Sequence, residues 1–104
     1  MVYPIEYDHI SYSKYISNNR LSITLNDSDG WPILIATVNI SNTKLDYNEV
    51  AIKNWGENQN VLELLIDDNI ITPPHRYVKS GYVDVPICYI VDSMQVLQNI
   101  CNQT

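Results

Sequence analysis

The chain has 104 residues and is 45% hydrophobic, which fits one domain with a real core and excludes the depleted, highly charged composition of a disordered segment. Its 12 acidic and 6 basic residues leave a net charge of −6. This argues against direct binding to nucleic acid, where affinity rests on lysine and arginine neutralising phosphate, and suits a basic protein surface.

Residues 1–20 are rich in tyrosine, with Tyr3, Tyr7, Tyr12 and Tyr15. A first strand is expected around Ile10, Tyr12, Tyr15 and Ile16, although the alternation is poor. Ser17-Asn18-Asn19 reads as a turn. These tyrosines either form a rigid amphipathic contact surface or replace phenylalanine in the core, since there are eight Tyr and no Phe. No basic n-region or apolar h-region opens the chain. No apolar run reaches the roughly 20 residues of a membrane helix, so a cytoplasmic location is expected.

Leu21-Ser22-Ile23-Thr24-Leu25 alternates cleanly, and Asn26 to Gly30 is a turn. Pro32 to Ile40 is the next strand and completes a hairpin. Leu34, Ala36, Val38 and Ile40 are expected to face the core. Ile33 and Ile35 on the other face are also apolar, so this end of the strand should be central or covered on both faces. Asp27 and Asp29 lack the further ligands of a calcium loop, because Val38 stands where its glutamate belongs. Asn26-Asp27-Ser28 and Asn39-Ile40-Ser41 are chance glycosylation matches.

A polar loop leads to a short third strand in which Val50 and Ile52 alternate with Glu49, Ala51 and Lys53. A helix is expected over roughly Glu57 to Asp68, with Val61, Leu62, Leu65 and Ile66 inward and Asn60, Glu63 and Asp67 outward. Asn69 can take the left-handed cap, and Thr72-Pro73-Pro74 ends the helix. Tyr82 to Val91 is the longest strand. Val83, Val85, Ile87, Tyr89 and Val91 share one face, and Pro86 implies an edge or a bulge. Asp92-Ser93 can cap a final helix from Met94 to Asn102. The predicted fold class is α+β: a mostly antiparallel sheet of about four strands, with one helix packed on it and a short C-terminal helix, over residues 1–104 as a single domain.

Chemistry is sparse. His9 and His75 have no motif-spaced nucleophile or carboxylate, and Ser80-Gly81 is not the elbow of a serine hydrolase. Three glycines, Gly30, Gly56 and Gly81, make no phosphate loop. Cys88 and Cys101 form no metal spacing and read as two reduced thiols. No metal, no cofactor and no enzymatic activity are expected.

Three stretches together carry a resemblance: Gly30-Trp31-Pro32 running into Ala36-Thr37-Val38-Asn39-Ile40; Val61 to Ile71, ending Asp68-Asn69-Ile70-Ile71; and Pro73 to Arg76 followed by Ser80-Gly81-Tyr82, Pro86 and Tyr89. Over roughly residues 21–90 the chain resembles a family of small, acidic, uncharacterised proteins carried by phages, plasmids and conjugative elements of bacteria. It departs from that pattern at Ile70, where a glycine is expected after Asn69, and at Pro74-His75, which replace a Thr-Gly-like pair. The helix from Met94 is additional.

Such elements often carry inhibitors of host defence, including anti-CRISPR and anti-restriction proteins. The resemblance therefore implies a non-enzymatic inhibitor acting in the bacterial cytoplasm on a CRISPR–Cas nuclease or its ribonucleoprotein. The expected contacts are Glu57, Glu63, Asp67 and Asp68 on the helix, with Tyr7, Tyr12 and Tyr15. A second reading is an interaction module or homodimer joined by edge strands. A third is a small enzyme or ligand binder using His75 and Arg76.

Overall fold

The computed structural model describes residues 5–15, 18, 20–40, 43–92 and 95–96. Its elements are β1 (His9–Lys14), β2 (Leu21–Asn26), β3 (Pro32–Ile35), β4 (Glu49–Ala51), a single 3-10 turn (Gly56–Asn58), α1 (Val61–Asp67), β5 (Arg76–Ser80) and β6 (Val83–Tyr89). The fold is α+β, with two three-stranded antiparallel sheets ordered β1-β2-β3 and β4-β6-β5. Among the described residues no helix is long and apolar enough to cross a membrane.

The predicted Pro32–Ile40 strand is divided between the two sheets. Over Pro32–Ile35 it pairs with β2, and the Ala36 N–H still bonds to the Ile23 carbonyl at 2.8 Å. Beyond this point it turns to β4. The Val38 N–H donates to Ala51 O at 3.0 Å, the Lys53 N–H donates to Ala36 O at 2.8 Å, and Thr37 bridges Ile52. One chain segment thus serves both sheets at a corner, as strands do where two sheets meet at an angle.

The principal core lies between the sheets and α1. Leu21, Ile23 and Leu25 point into it from β2, Val50 and Ile52 from the β4 segment, Cys88 from β6 and Ile90 from just past it, and Val61, Leu62, Leu64 and Leu65 from α1. Each such side chain contributes about 1.5–3 kcal/mol through burial. A second, smaller core forms on the opposite face of the second sheet from Ile40, Ala51, Val85 and Ile87, with Val38, Leu45, Trp55, Val78 and Val83 against it. The alternation read for the last strand therefore holds for Val83, Val85 and Ile87.

Four details depart from the sequence reading. The described residues form six strands rather than about four: β1 falls on the expected first strand, while β5 carries no clear local signal because Val78 is its one inward aliphatic side chain. Pro86 lies in the central strand β6, not at an edge or bulge. Its ring nitrogen faces Ile52, just past the end of β4, so the one donor missing from the β4–β6 pairing falls at its last position. Its carbonyl still accepts the Ile52 N–H at 3.0 Å.

Third, Ile33 and Ile35 are neither central nor covered: β3 is an edge and both remain exposed. Last, the helix begins at Val61, not Glu57, because Asn60 takes a left-handed φ of 74° and separates it from the 3-10 turn. Asn54 compensates for this abrupt start by accepting the Leu62 N–H at 3.0 Å. Leu64 is buried where the sequence placed Ile66 inward, and Ile66 is half-buried.

The helix ends as expected. Asn69 is left-handed at φ 60°, its N–H bonds to Ile66 O at 3.0 Å, and the Ile70 N–H bonds to Leu65 O at 2.9 Å, the paired bonds of a Schellman cap. Of the Ser17-Asn18-Asn19 turn only Asn18 is described, and its Oδ1 accepts the Arg20 N–H at 3.2 Å. The expected C-terminal helix falls mostly outside the described residues. Gln95 and Val96 are helical, and the Val96 N–H reaches Asp92 O at 2.9 Å.

Left-handed backbone costs an ordinary L-residue about 1–2 kcal/mol, and asparagine and glycine least. Asn60→Ala should therefore lower unfolding stability by about 1 kcal/mol, with Asn60→Gly equal to or above the native chain. Urea denaturation of both variants tests this; equal losses would mean that the Asn60 side chain, not its backbone, matters.

Candidate functional site

Three segments converge on an open groove of about 570 Å³. Ile5, Glu6, Tyr7 and Asp8 come from the run before β1, Asp27 from the β2–β3 turn, and Leu64 and Asp68 from the end of α1. Local bonding explains the convergence. The Asp8 N–H donates to Asn26 O at 2.9 Å, continuing the β1–β2 ladder and holding the N-terminal run beside the hairpin turn. Within that turn Asp27 Oδ1 accepts the N–H groups of Asp29 at 2.9 Å and Trp31 at 3.0 Å, which is the local side-chain chemistry that makes aspartate a turn residue. Gly30, at φ 84°, supplies the positive φ that closes it.

Tyr7 ties the first segment to the helix end. Its hydroxyl donates to Asp68 Oδ2 at 2.5 Å. Burial pushes the phenol pKa well above its ordinary value, and the hydrogen bond to Asp68 and that carboxylate's charge push it further. Tyr7 therefore remains a neutral donor and holds Asp68 in place. The groove thus presents Glu6, Asp8, Asp27 and Asp68 around an apolar floor of Ile5 and Leu64, and none of its described lining residues is basic. Such a concavity attracts an ammonium or guanidinium group.

A second titratable cluster is structural in character. Glu49 is buried at the start of β4; Arg76 reaches it with Nε at 3.2 Å and Nη2 at 3.1 Å, and His75 Nε2 lies 2.5 Å from its Oε2. The Asp46 N–H adds a bond at 2.8 Å, and Arg76 also donates to Lys44 O at 2.9 Å. His75 stacks on Tyr89 with ring centroids 4.0 Å apart. Burial alone would raise the Glu49 carboxyl pKa; the hydrogen bonds from Arg76, Asp46 and His75 outweigh it and bring the value down to about 2. His75 and Arg76 were legible as a pair, but Glu49, 26 residues before His75, was not.

The residues expected at the site separate. Tyr7 and Asp68 meet in the groove. Glu63 and Asp67 lie exposed on α1. Glu57 is off the helix, on the 3-10 turn, in an ion pair with Lys53 at 2.7 Å that lowers its carboxyl pKa. Tyr12 is half-buried against the core, and its pKa is raised by burial and then by the charge of Asp92. Tyr15 is half-buried at the corner between the sheets, its hydroxyl 3.0 Å from Thr37 Oγ1. Tyr7 and Tyr12 thus serve partly as core aromatics, while among the described residues the most exposed tyrosines are Tyr82, Tyr47 and Tyr77. Glu6, Asp8 and Asp27 were not singled out for the groove, because only the fold brings them beside Asp68.

Among the described residues no group of three or more His, Cys, Asp or Glu is arranged to hold a metal ion. Cys88 is buried and its thiol is pushed up to about 12 by burial, so it is held as the unreactive thiol. Cys101 lies outside the described residues. The chain matches no protein-family model, no curated protein and no solved structure.

The Glu49 cluster gives a pH signature. Its carboxyl sits at about 2 in the folded protein against an ordinary 4.5. A depressed carboxyl contributes stability that is complete above the ordinary value and is lost as pH falls toward the folded one. Melting temperature should therefore decline between about pH 4.5 and pH 2. Glu49→Gln should flatten this part of the profile and cost about 1.5–3 kcal/mol at neutral pH. Calorimetry from pH 7 to 2 measures both, and an unchanged acid limb in the variant would assign the acid loss to other carboxylates.

Proposed function

We propose that this chain is a non-enzymatic binding protein that inhibits a bacterial CRISPR–Cas nuclease by setting its acidic groove against a basic, nucleic-acid-binding surface of that enzyme. The observation that carries this reading is the groove itself: Glu6, Asp8, Asp27 and Asp68 converge with no basic residue among the described lining, and Tyr7 holds Asp68 in place. Glu63 and Asp67, exposed on the same short helix, extend the negative surface. A nuclease channel that binds a phosphate backbone is lined with lysine and arginine, and carboxylates spread along one groove compete for those cations. The excess of −6 is modest, so the contact is read as local charge pairing rather than imitation of a DNA duplex.

The commitment of Glu49, His75 and Arg76 to one another supports the non-catalytic part of the reading, because the Arg76 guanidinium and the His75 ring both pack their polar atoms on the Glu49 carboxylate and tie the start of β4 to the start of β5. The resemblance to proteins of phages and conjugative elements supplies the class of target.

A cleavage assay with the purified chain and RNA-guided single-subunit nucleases tests the proposal. Cleavage should fall as the chain approaches molar equivalence. Glu6→Lys or Asp8→Lys should weaken inhibition by about tenfold or more, since like charges placed across an interface repel. Binding should weaken steeply from 50 to 300 mM salt, about the range in which exposed charge pairs become screened. Undiminished cleavage at molar excess across nuclease subtypes would remove this reading.

A further inference from the structure

The acidic groove lies at one end of the β1–β2 pair, and the ladder puts cations at the other. Lys14 pairs with Leu21, and the Tyr15 N–H donates to Arg20 O at 2.8 Å, so Lys14 at the end of β1 and Arg20 just before β2 are neighbours. The run from Asp8 to Lys14 spans about 20 Å at the rise of a strand.

Local bonds build a second concavity around these two cations. The Arg20 guanidinium donates to the Ile40 and Thr43 carbonyls, which draws the loop before β4 against the hairpin. Asp46 is fastened in that loop: its N–H donates to Glu49 Oε1 at 2.8 Å, and its carbonyl accepts the Glu49 N–H at 3.0 Å. Asn18 closes another side, accepting the Arg20 N–H at 3.2 Å and donating to Asn39 Oδ1 at 3.0 Å. The space between them is about 310 Å³, and its lining includes Lys14, Asn18, Arg20, Leu45, Asp46 and Tyr47.

Two features of this lining point to a ligand. The first is uncompensated positive charge. In a chain with 12 acidic and 6 basic residues, a cation beside a carboxylate is the ordinary case. Lys53 pairs with Glu57, Arg76 pairs with Glu49, and Lys79 stands opposite Asp84 in the β5–β6 register. Among the described residues Lys14 and Arg20 are in no ion pair. The carbonyls that hold Arg20 fix its guanidinium without cancelling its charge. The second feature is Tyr47, which is 67% exposed, so most of its ring is open to stacking. Cations beside an open aromatic ring are the groups that recognise a phosphate joined to a planar base.

We propose that this concavity binds a nucleotide, with Lys14 and Arg20 on the phosphate, the base against the Tyr47 ring, and Asp46 accepting from a sugar hydroxyl or a base amino group. Its volume is at the low end of the roughly 300–1,000 Å³ of small-ligand sites, which suits one nucleotide. The Asp46 carboxylate and the net charge of −6 oppose a longer tract of phosphates. The ligand is therefore a single nucleotide, free or as one unit of a strand. This site is separate from the groove on which the nuclease reading rests.

NMR titration of the full chain with AMP, with inorganic phosphate and with a single-stranded RNA of about ten nucleotides tests the proposal with no nuclease present. AMP at millimolar concentration should move the amide signals of Lys14, Arg20, Asp46 and Tyr47 and leave those of Glu6, Asp8 and Asp68 in place. Lys14→Glu and Tyr47→Ala, both at exposed positions, should each weaken AMP binding by about tenfold or more with melting temperature unchanged. Glu6→Lys, which weakens nuclease inhibition, should leave AMP binding intact, so the two readings fail separately. RNA bound more tightly than AMP, and lost in both variants, identifies a strand as the source of the nucleotide; RNA bound no more tightly identifies the free nucleotide. Inorganic phosphate giving the same shifts as AMP at equal concentration would overturn the proposal, because the base would then contribute nothing. Absence of shifts with AMP, or AMP binding indifferent to both substitutions, would also overturn it.

Discussion

The corner at residues 36–38 is the constraint on which the rest of the molecule depends. Two backbone bonds, Val38 to Ala51 and Lys53 to Ala36, make a single segment the last strand of one sheet and the first neighbour of the other. Without that switch the apolar faces of β2 and β6 would not close on one another, and α1 would have no trough to fill. The corner also fixes what stays open. Because the chain leaves β2 at Ala36, the outer side of β3 has no strand beside it, and Asn58, carried in by the 3-10 turn, satisfies only one of its carbonyls. The side chain of Asn58 is almost wholly inaccessible, and a buried carbonyl left unpaired costs about 1–3 kcal/mol, so the turn matters beyond the few residues it contains.

Carboxylates fall into two physical classes in this fold. Glu49 is removed from water and would be costly alone, but it receives a guanidinium fork, an imidazole and a backbone N–H. Its charge is spent inside the molecule, where breaking such a set leaves an uncompensated ion. Glu6, Asp8 and Asp68 share a concavity with no basic group among its described lining, and the contacts there are Tyr7 on Asp68 and the turn N–H groups on Asp27. Hydration keeps such exposed charges inexpensive in the free protein.

Elements with strong local signals were legible in the sequence. The clean alternation of Leu21 to Leu25, the turn chemistry of Asp27 and Gly30, the left-handed Asn69 and the alternating face of Val83, Val85 and Ile87 all follow from period and backbone preference. What escaped was set by pairing across distance. Pro86 looked like an edge residue because local rules place proline where no donor is needed, whereas here it sits between β4 and β5 and gives up one donor at the last position of the β4 pairing while its carbonyl still accepts the Ile52 N–H. β5 escaped because an edge strand needs few inward apolar groups. Ile33 and Ile35 looked like residues that require cover on both faces, and the fold leaves them exposed. Of the groove, Tyr7 and Asp68 were singled out, but not their meeting across 61 residues, nor Glu6, Asp8 and Asp27, whose positions along the chain share no period.

The hairpin β2–β3 therefore carries two unlike surfaces at adjacent places. At its tip, Asp27 spends one carboxylate oxygen on the turn and still borders the acidic groove. Along its outer strand, a bulge in the β2–β3 register keeps aliphatic and aromatic groups away from the core. Neither feature is needed to stabilise a sheet: a turn asparagine would cap as well as Asp27, and threonine would suit an exposed edge better than isoleucine. Carboxylates gathered with no cation among the described lining and aliphatic groups held out of a core that could use them both run against the interest of an isolated domain. Such departures from local consistency are expected where a surface is built for contact with another molecule.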